Sequence, residues 1–336
     1  MKETIYLVTG ATGFLGMNIA KKLAAQNKKM KVLVLAGDPV INYLPDQAEI
    51  VLGDLIDKTS LEKFFTVPAH TEIVVIHCAS IVSLSPDFSQ KVYDINVTGT
   101  ENIVDFCVAK KVKKLIYISS TGAIAEAPGN QIIQEPAMFL PDQVVGYYAK
   151  TKALATQYVL KMVQEKNLDA SVIYPSGICG PNDYAYGPVA EFIIRYCQGK
   201  MTVGIEGTFN SVDVRDLADG VISCVKNGRK GEGYIMSNEL VTMRRMFDLI
   251  SQASGAKRIE TILTKEQMLQ MQEKGSHSSE TEKNQKVLEF EIYNLTRNNN
   301  FSSEKAIKEL SYHTRPFEET MVDSVEWLRS VGKVKR

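Results

Sequence analysis

The chain of 336 residues is long enough to bury a large core, and its length suggests about two domains. Its 39 basic and 39 acidic residues balance, which argues against binding to nucleic acid or to an anionic membrane surface. No apolar run approaches the roughly 18 residues of a membrane-spanning helix, and the first strand begins too near Met1 for a signal peptide. We therefore expect a cytoplasmic globular protein.

The cysteines and histidines predict neither disulfides nor a metal site. The cysteines are odd in number, scattered and mostly set in apolar stretches, which is typical of reduced thiols in a core. They are Cys78, Cys107, Cys179, Cys197 and Cys224. The histidines, at positions 70, 77, 277 and 313, show no ligand spacing.

The first predicted strand, residues 4–9, runs into the stretch Gly10-Ala11-Thr12-Gly13-Phe14-Leu15-Gly16, which opens an amphipathic helix over 14–26. The first glycine permits a tight turn, the second lets the backbone approach a pyrophosphate, and the third lets helix and strand pack closely. The helix N-terminus adds unpaired N–H groups that attract phosphates. This stretch therefore predicts a dinucleotide site.

Strand and helix patterns alternate through the rest of the first half. Further strands are predicted at 31–36, 49–52, 73–77, 114–118 and 170–174, and helices at 59–66, 87–110 and 145–166. Continuous Val/Ile/Leu strands between helices predict an α/β fold, a Rossmann-type doubly wound parallel sheet covered on both faces.

Beyond Pro175 the alternation weakens. Residues 180–210 are rich in loops, while 212–226 and 233–236 are predicted to return to the sheet. Helices are predicted at 242–255, 264–273, 302–310 and 316–331, with an exposed loop at 274–280. We therefore expect a dinucleotide-binding domain at 1–174, to which 212–236 returns. A smaller, mainly helical substrate-binding domain would comprise 175–211 and 237–336, closing a cleft at the carboxyl edge of the sheet.

The second group of candidate residues is Tyr148 and Lys152, which share one face of a predicted helix because they are four residues apart. We expect the ammonium and a cationic nicotinamide to lower the pKa of Tyr148, so that it can act as an acid or base. Chance alone produces such a pair, and a second occurs at Tyr196 and Lys200, where a solvated helix face is the simpler interpretation.

Matching stretches then follow one another in a family's order over nearly the whole chain. They are Thr9-Gly10-Ala11-Thr12-Gly13-Phe14-Leu15-Gly16, Gly53-Asp54-Leu55, His77-Cys78-Ala79-Ser80, Asn96-Val97-Thr98-Gly99-Thr100, Ile118-Ser119-Ser120, Tyr148 with Lys152, Tyr174-Pro175-Ser176-Gly177-Ile178-Cys179-Gly180-Pro181, Val212-Asp213-Val214-Arg215-Asp216-Leu217-Ala218, and Arg315-Pro316-Phe317 leading to Trp327-Leu328. With these stretches the chain resembles the extended short-chain dehydrogenases/reductases. It is most similar to their dihydroflavonol-reductase and 3β-hydroxysteroid-dehydrogenase-like branch, within the NAD-dependent epimerase/dehydratase superfamily.

The resemblance implies three catalytic residues. Tyr148 would be the general acid/base, Lys152 its partner and the anchor of the nicotinamide ribose, and Ser120 the residue that orients the substrate oxygen, with Thr121 as the alternative. Asn96 would be either structural or part of a proton relay, and Arg215-Asp216 would join the domains. The implied cofactor-binding residues are Gly10, Thr12, Gly13, Phe14, Leu15, Asp54, Leu55, Ala79, Ser80, Tyr148, Lys152, Pro175, Ser176, Gly177 and Ile178.

Two departures from the superfamily pattern bear on cofactor and substrate. The end of the second strand reads Leu35-Ala36-Gly37-Asp38, without the acidic residue that meets an NAD ribose, so NAD or NADP stays open and the missing carboxylate favours NADP. Phe209-Asn210-Ser211-Val212 lacks the arginine with which nucleotide-sugar enzymes hold a diphosphate. Apolar residues could line the cleft instead, which suits a neutral or apolar carbonyl compound. These are Met138, Phe139, Leu140, Tyr147, Tyr184, Tyr186, Phe192, Ile193 and Met201, with core packing as the other interpretation.

The sequence thus predicts an NAD(P)-dependent oxidoreductase that interconverts a ketone or aldehyde and its alcohol. One alternative is a nucleotide-sugar epimerase or dehydratase with retained NAD, against which the missing arginine argues. Another is a non-catalytic dinucleotide-sensing protein, against which the presence of Ser120, Tyr148 and Lys152 argues. Homodimerisation through the helices at 87–110 and 145–166 is an expectation from the family.

Overall fold

Seven parallel strands form the central sheet of the computed structural model, which describes residues 3–273 and 279–335. The strands of the chain, in order, are β1 (Thr4–Thr9), β2 (Lys29–Val34), β3 (Ala48–Leu52), β4 (Glu72–His77), β5 (Lys114–Ile118), β6 (Ala170–Pro175), β7 (Gly177–Cys179), β8 (Gly204–Ile205), β9 (Thr208–Asp213), β10 (Gly233–Met236), β11 (Leu240–Thr242) and β12 (Ile262–Leu263). Across the central sheet the order is β10-β6-β5-β4-β1-β2-β3. The order therefore reverses between β1 and β4, and such a switch point opens a ligand crevice at the carboxyl edge.

The helices connect these strands and then dominate the last third of the chain. They are α1 (Phe14–Ala25), α2 (Lys58–Phe65), α3 (Gln90–Tyr93), α4 (Gly99–Ala109), α5 (Tyr147–Lys166), α6 (Pro188–Cys197), α7 (Val214–Asn227), α8 (Met243–Ser254), α9 (Lys265–Glu273), α10 (Ser279–Thr296), α11 (Glu304–Leu310) and α12 (Phe317–Ser330). Within the described residues, none of them is both long and apolar enough to cross a membrane.

Helices cover both faces of the sheet because its strands are apolar on both faces. In β1, Leu7 and Val8 are both fully buried, but Leu7 packs into one apolar cluster with α2, α4 and α5, and Val8 into another with α1 and α7. The predicted α/β fold class, a doubly wound parallel sheet with a helical C-terminal region, is confirmed.

A third apolar cluster lies in the C-terminal part, where α6, α8 and α12 pack around Phe247 and Phe317. Of the two segments predicted to return to the central sheet, 233–236 does so, because β10 pairs with β6. The prediction is wrong for the strand at 212–213, because β9 pairs with β7 and β11 in a separate small sheet. The division into two domains stays a prediction.

Several elements differ from the prediction. The strand predicted at 31–36 occupies Lys29–Val34, because Leu35 and Ala36 already lie exposed beyond the sheet edge. The single helix predicted at 87–110 begins at Gln90 and is interrupted by a π-helical segment, Asp94–Thr98. Two helices, α6 and α10, were not predicted. Of the loop predicted at 274–280, residues 274–278 lie outside the described part, and α10 begins at Ser279.

Candidate active site

The glycine-rich turn after β1 is packed so tightly that two of its glycines exclude any side chain. Gly10 has a φ of +68°, and a Cβ there would lie 2.6 Å from the backbone nitrogen of Ala79. A Cβ at Gly16 would lie 2.1 Å from the Gly10 carbonyl oxygen. The turn, α1 and the loop after β4 therefore form one close-packed unit.

Gly13, by contrast, is crowded on one side only. A Cβ there would meet, within 4 Å, only the Gly10 carbonyl oxygen at 3.2 Å. Gly13 precedes α1, whose first turn has neither a side-chain cap nor an acidic residue. The open backbone and the positive end of the helix dipole fit the pyrophosphate of a dinucleotide. Thr12 and Phe14 are partly exposed beside this opening, and Leu15 is buried beneath it.

A buried chain of hydrogen bonds holds the loop after β4 against this turn. The Thr9 hydroxyl accepts from the Ala79 N–H at 3.2 Å and lies 2.6 Å from Nδ1 of His77. Nε2 of His77 lies 3.0 Å from the Thr100 hydroxyl, which donates to the Asn96 carbonyl at 2.7 Å. Burial, assisted by the charge of Lys152, lowers the pKa of His77 to about 3, so its ring stays neutral.

Asn96 lies in the π-helical segment and connects two walls of the crevice. Its amide donates to the Ile81 carbonyl at 2.9 Å and to the Thr151 hydroxyl at 3.1 Å, and its oxygen accepts from the Ile81 N–H at 2.8 Å. These contacts join the loop after β4 to α5, the helix that carries Tyr148. They support the structural role of Asn96, while the relay role stays a prediction.

The predicted adenine-side residues lie at the end of β3. Asp54 is held by Ser60, whose hydroxyl accepts from the Asp54 N–H at 3.0 Å. Leu55 is buried against Gly99, and its carbonyl accepts from Asn102 at 3.0 Å. At the neighbouring end of β2, Leu35 is 56% exposed.

The segment predicted to lie beside the nicotinamide, Pro175 to Ile178, connects β6 to β7. The Pro175 carbonyl accepts from the Thr121 hydroxyl at 3.2 Å, and the Ser176 N–H donates to Met236 at 3.1 Å. The Ser176 hydroxyl is buried without a partner among the described residues, so it can bind a polar group of a ligand. A side chain at Gly177 would have to displace the Phe209 ring, because its Cβ would lie 2.0 Å from that ring.

Tyr148 lies on the first turn of α5, and its phenol lies beside the hydroxyls of Ser120 and Ser80. Burial raises the pKa of Tyr148 to about 12, although the two neighbouring hydroxyls lower it in part. The lowering by Lys152 that the sequence predicts is therefore not found among the described groups. The Ser120 hydroxyl accepts from the Gly122 N–H at 3.0 Å, which leaves its own proton free to donate.

Lys152 lies one turn further along α5 and is 2% exposed. Its ammonium donates to the Ile118 carbonyl at 2.6 Å and lies 4.8 Å from the ring centroid of Tyr117. Burial lowers the pKa of Lys152 to about 7. With so low a pKa, this lysine is only partly charged at neutral pH, which explains its weak influence on Tyr148.

The structure therefore brings Ser120, Ser80 and Tyr148 into contact and places the glycine turn against Ala79. The sequence suggested that the second Tyr-x-x-x-Lys pair lies on a solvated helix face, and this interpretation is wrong. Tyr196 is buried beside Phe247, and exposed Lys200 lies beyond the end of α6.

The proposed apolar lining divides into two groups. Phe139 and Ile193 are core residues, and the rings of Tyr184 and Tyr186 pack against Trp327. Exposed apolar side chains instead occur close in sequence to Tyr148 and on the loop after β4. They are Val82, Leu84, Phe88, Met138, Leu140 and Val145. Sequence reasoning named Tyr147 and missed its packing partner Phe88, whose ring lies 5.0 Å away.

A Rossmann sheet with this turn, followed by the Ser, Tyr and Lys constellation, is the architecture of a short-chain dehydrogenase/reductase of the extended type. The chain is an oxidoreductase of that class. Residues 6–238 match the NAD dependent epimerase/dehydratase family, and the chain belongs to it.

Individual relatives agree with this assignment. A proposed dihydroflavonol 4-reductase of Synechocystis sp. is 25% identical over 98% of this chain and 96% of its own length. The human sterol-4-alpha-carboxylate 3-dehydrogenase, decarboxylating, is 32% identical over 61% of this chain, which spans about half of the human protein (52%). The crystal structure of gox2253 superimposes with a TM-score of 0.84 at 28% identity, covering 98% of this chain and 99% of gox2253. The resemblance predicted from the sequence is confirmed.

Proposed function

We propose that this protein interconverts a ketone or aldehyde and its alcohol, with Tyr148 as the acid/base. The observation that carries this proposal is the position of the Tyr148 phenol beside the Ser120 hydroxyl, at the carboxyl edge of the sheet. A carbonyl oxygen placed between these two hydroxyls would accept a hydrogen bond from each.

Tyr148 moves the proton. Its pKa of about 12 keeps the phenol protonated at neutral pH, so it can donate to an oxygen that gains negative charge during reduction. Ser120 orients that oxygen with the proton that its own hydrogen bond to Gly122 leaves free. Thr121, whose hydroxyl is bonded to the Pro175 carbonyl, is the poorer candidate for this role.

Lys152 holds the cofactor. Among the described residues its ammonium donates only to Ile118, so it has protons left for the hydroxyls of a ribose. The other residues that would hold a dinucleotide are Gly10, Thr12, Gly13, Phe14, Leu15, Asp54, Leu55, Ala79, Ser80, Pro175, Ser176, Gly177 and Ile178. A bound nicotinamide cofactor supplies or accepts the hydride.

The finer assignments follow from charge and exposure. We propose NADP over NAD, because the exposed end of β2 carries no carboxylate at Leu35 or Ala36. We propose an apolar substrate, because the exposed apolar side chains on the loop after β4 and close in sequence to Tyr148 would lose water contact on binding it. The human relative is named for a sterol carboxylate, a compound whose ring system is apolar. A cytoplasmic location and a homodimer complete the proposal.

The test measures nicotinamide absorbance with NADPH and NADH against a panel of aldehydes, ketones and steroids. We expect cofactor oxidation that falls at least about a hundredfold in Tyr148→Phe, the usual scale of acid/base catalysis. The matched control is Tyr196→Phe, which removes the hydroxyl of the other Tyr-x-x-x-Lys pair, buried beside Phe247, and should keep its rate. Conversion of UDP-sugars without net cofactor oxidation would instead establish the epimerase alternative.

A further inference from the structure

The buried ammonium of Lys152 has an unusual neighbour. Among the described residues no carboxylate pairs with it, and its one hydrogen bond runs to the Ile118 carbonyl at 2.6 Å. Its other close partner is the ring of Tyr117 on β5, with the nitrogen 4.8 Å from the centroid. A cation at this distance from a ring face is attracted by the ring quadrupole, and the attraction grows where water is excluded.

The surroundings fix the Tyr117 ring in place. Tyr117 is fully buried, and its ring stacks on the ring of His77, with centroids 5.7 Å apart and planes 26° from parallel. The Tyr117 hydroxyl has no hydrogen-bond partner among the described residues. The ring face, and not the hydroxyl, is therefore the part of Tyr117 that acts on Lys152.

We propose that Tyr117 is a positioning residue whose ring face holds the Lys152 ammonium in place and favours its protonated form. The catalytic consequence rests on the proposed function, because Lys152 would act there on the cofactor ribose. The effect of the ring on Lys152 does not depend on which reaction the protein catalyses.

The other titratable groups near Lys152 do not obscure its titration. Burial lowers the pKa of His77 to about 3 and raises that of the Cys78 thiol to about 12. The pKa of Tyr148 is raised to about 12, and burial raises that of Tyr117 still further. Between pH 5 and 10, Lys152 is thus the group of this cluster that changes charge.

The test follows the Lys152 side chain by NMR in protein labelled with ¹³C-lysine, the signal being assigned by its loss in Lys152→Met. In the unaltered protein we expect the Lys152 titration to have its midpoint near pH 7. Tyr117→Leu keeps an apolar side chain but removes the quadrupole that stabilises the cation, so the midpoint should fall by about one pH unit. Tyr117→Phe keeps the ring and should titrate within about 0.2 unit of the unaltered protein.

A matched control separates this effect from general loosening of the core. Phe64→Leu removes an equally buried ring from α2, which packs on β2 and β3, and should leave the Lys152 midpoint unchanged. If Tyr117→Leu does not fold, replacement of Tyr117 by 3,4,5-trifluorophenylalanine weakens the quadrupole at nearly constant shape and should lower the midpoint in the same direction.

An unchanged midpoint in folded Tyr117→Leu, or an equal shift in Tyr117→Phe, would overturn the proposal. Because the titration needs no substrate, it tests the effect of Tyr117 on Lys152 even if no carbonyl compound is reduced. If carbonyl reduction is found, its pH profile should shift with the NMR midpoint in Tyr117→Leu but not in Phe64→Leu.

Discussion

At the scale of single residues, the site is built from polar groups that cost stability to bury. Lys152 is the clearest case, because its charge is enclosed without a counter-ion among the described residues. Its pKa, about 7 against 10.5 for a solvated lysine, measures how strongly the fold disfavours the ammonium. Such a group is expected where function, and not stability, determines the residue.

Lys152→Met should therefore stabilise the protein while removing its activity. The unfolded chain takes up the proton below pH 10.5 and the folded chain only below about pH 7, so the lysine destabilises the fold fully below pH 7. We expect the free energy of unfolding, measured with urea at pH 6, to be a few kcal/mol higher in Lys152→Met than in the unaltered protein. This difference should become smaller as the pH rises towards 10.

The control for this experiment is Lys114, another buried lysine. Its ammonium is paired with Asp169 at 2.7 Å and with the Gly228 carbonyl at 2.8 Å, so Lys114→Met should destabilise the protein. If both substitutions lower the urea midpoint at pH 6, Lys152 is not a destabilising charge.

At the scale of elements, the glycine turn and α1 form the part of the site that the sequence predicts best. The turn depends on close backbone contacts that leave no room for side chains, and the spacing of the glycines shows these positions directly in the sequence. Tyr148 and Lys152 were predictable as a pair because helical periodicity places them on one face.

Other elements could not be predicted because their causes are contacts between distant residues. The π-helical segment Asp94–Thr98 is indistinguishable from ordinary helix in the sequence, but Asn96 within it bonds to Ile81 and Thr151, which lie 15 and 55 residues away along the chain. In the sequence Tyr117 is one more residue of an apolar strand, and its contact with Lys152 becomes visible only in the folded structure. The reversed shift in the Tyr148 pKa likewise comes from burial, which depends on the packed fold.

The glycine turn yields a prediction at the element scale. In Gly16→Ala the new methyl group would lie 2.1 Å from the Gly10 carbonyl oxygen, and neither backbone can move without displacing α1. We expect dinucleotide affinity, measured by titration with NADPH and NADP, to fall more than about tenfold, because the helix N-terminus shifts from the phosphates.

The comparison variant is Gly255→Ala. Gly255 ends α8 with a φ of +72° and has open space around its Cβ position. It should lose about 1 kcal/mol of stability from backbone strain and keep its dinucleotide affinity. Equal affinity loss in both variants would mean that general destabilisation, and not the turn, sets the affinity.

At the scale of the whole molecule, a charged cluster joins the C-terminal helices to α7. Arg215 binds Asp213 at 2.7 Å and Asp323 of α12 at 2.6 Å, while Arg315 binds Asp216 of α7 at 2.7 Å. This arrangement agrees with the sequence interpretation that Arg215-Asp216 joins two parts of the chain. The sequence could not predict the partners, because Asp323 and Arg315 lie about a hundred residues further on.

Removing one arginine from this cluster should destabilise the molecule strongly at neutral pH. Asp213 is fully buried; burial alone would raise its pKa, but the hydrogen bonds and charges of Arg215 and Arg315 lower it below its ordinary value. In Arg315→Met, Asp213 and Asp216 lose part of this compensation, so we expect a loss of about 3–5 kcal/mol in urea unfolding at pH 7.

The loss should depend on pH in one direction. Because the pKa of Asp213 is lowered in the fold, the stability that its carboxylate contributes is present above its unfolded pKa of 3.8 and disappears as the pH falls through the folded value. The difference in the free energy of unfolding between Arg315→Met and the unaltered protein should therefore become smaller below pH 4. Arg258→Met, which breaks the exposed pair with Asp248 at 2.6 Å, should cost less than about 1 kcal/mol at pH 7. A similar cost for both arginines would show that the buried cluster does not hold the C-terminal helices to α7.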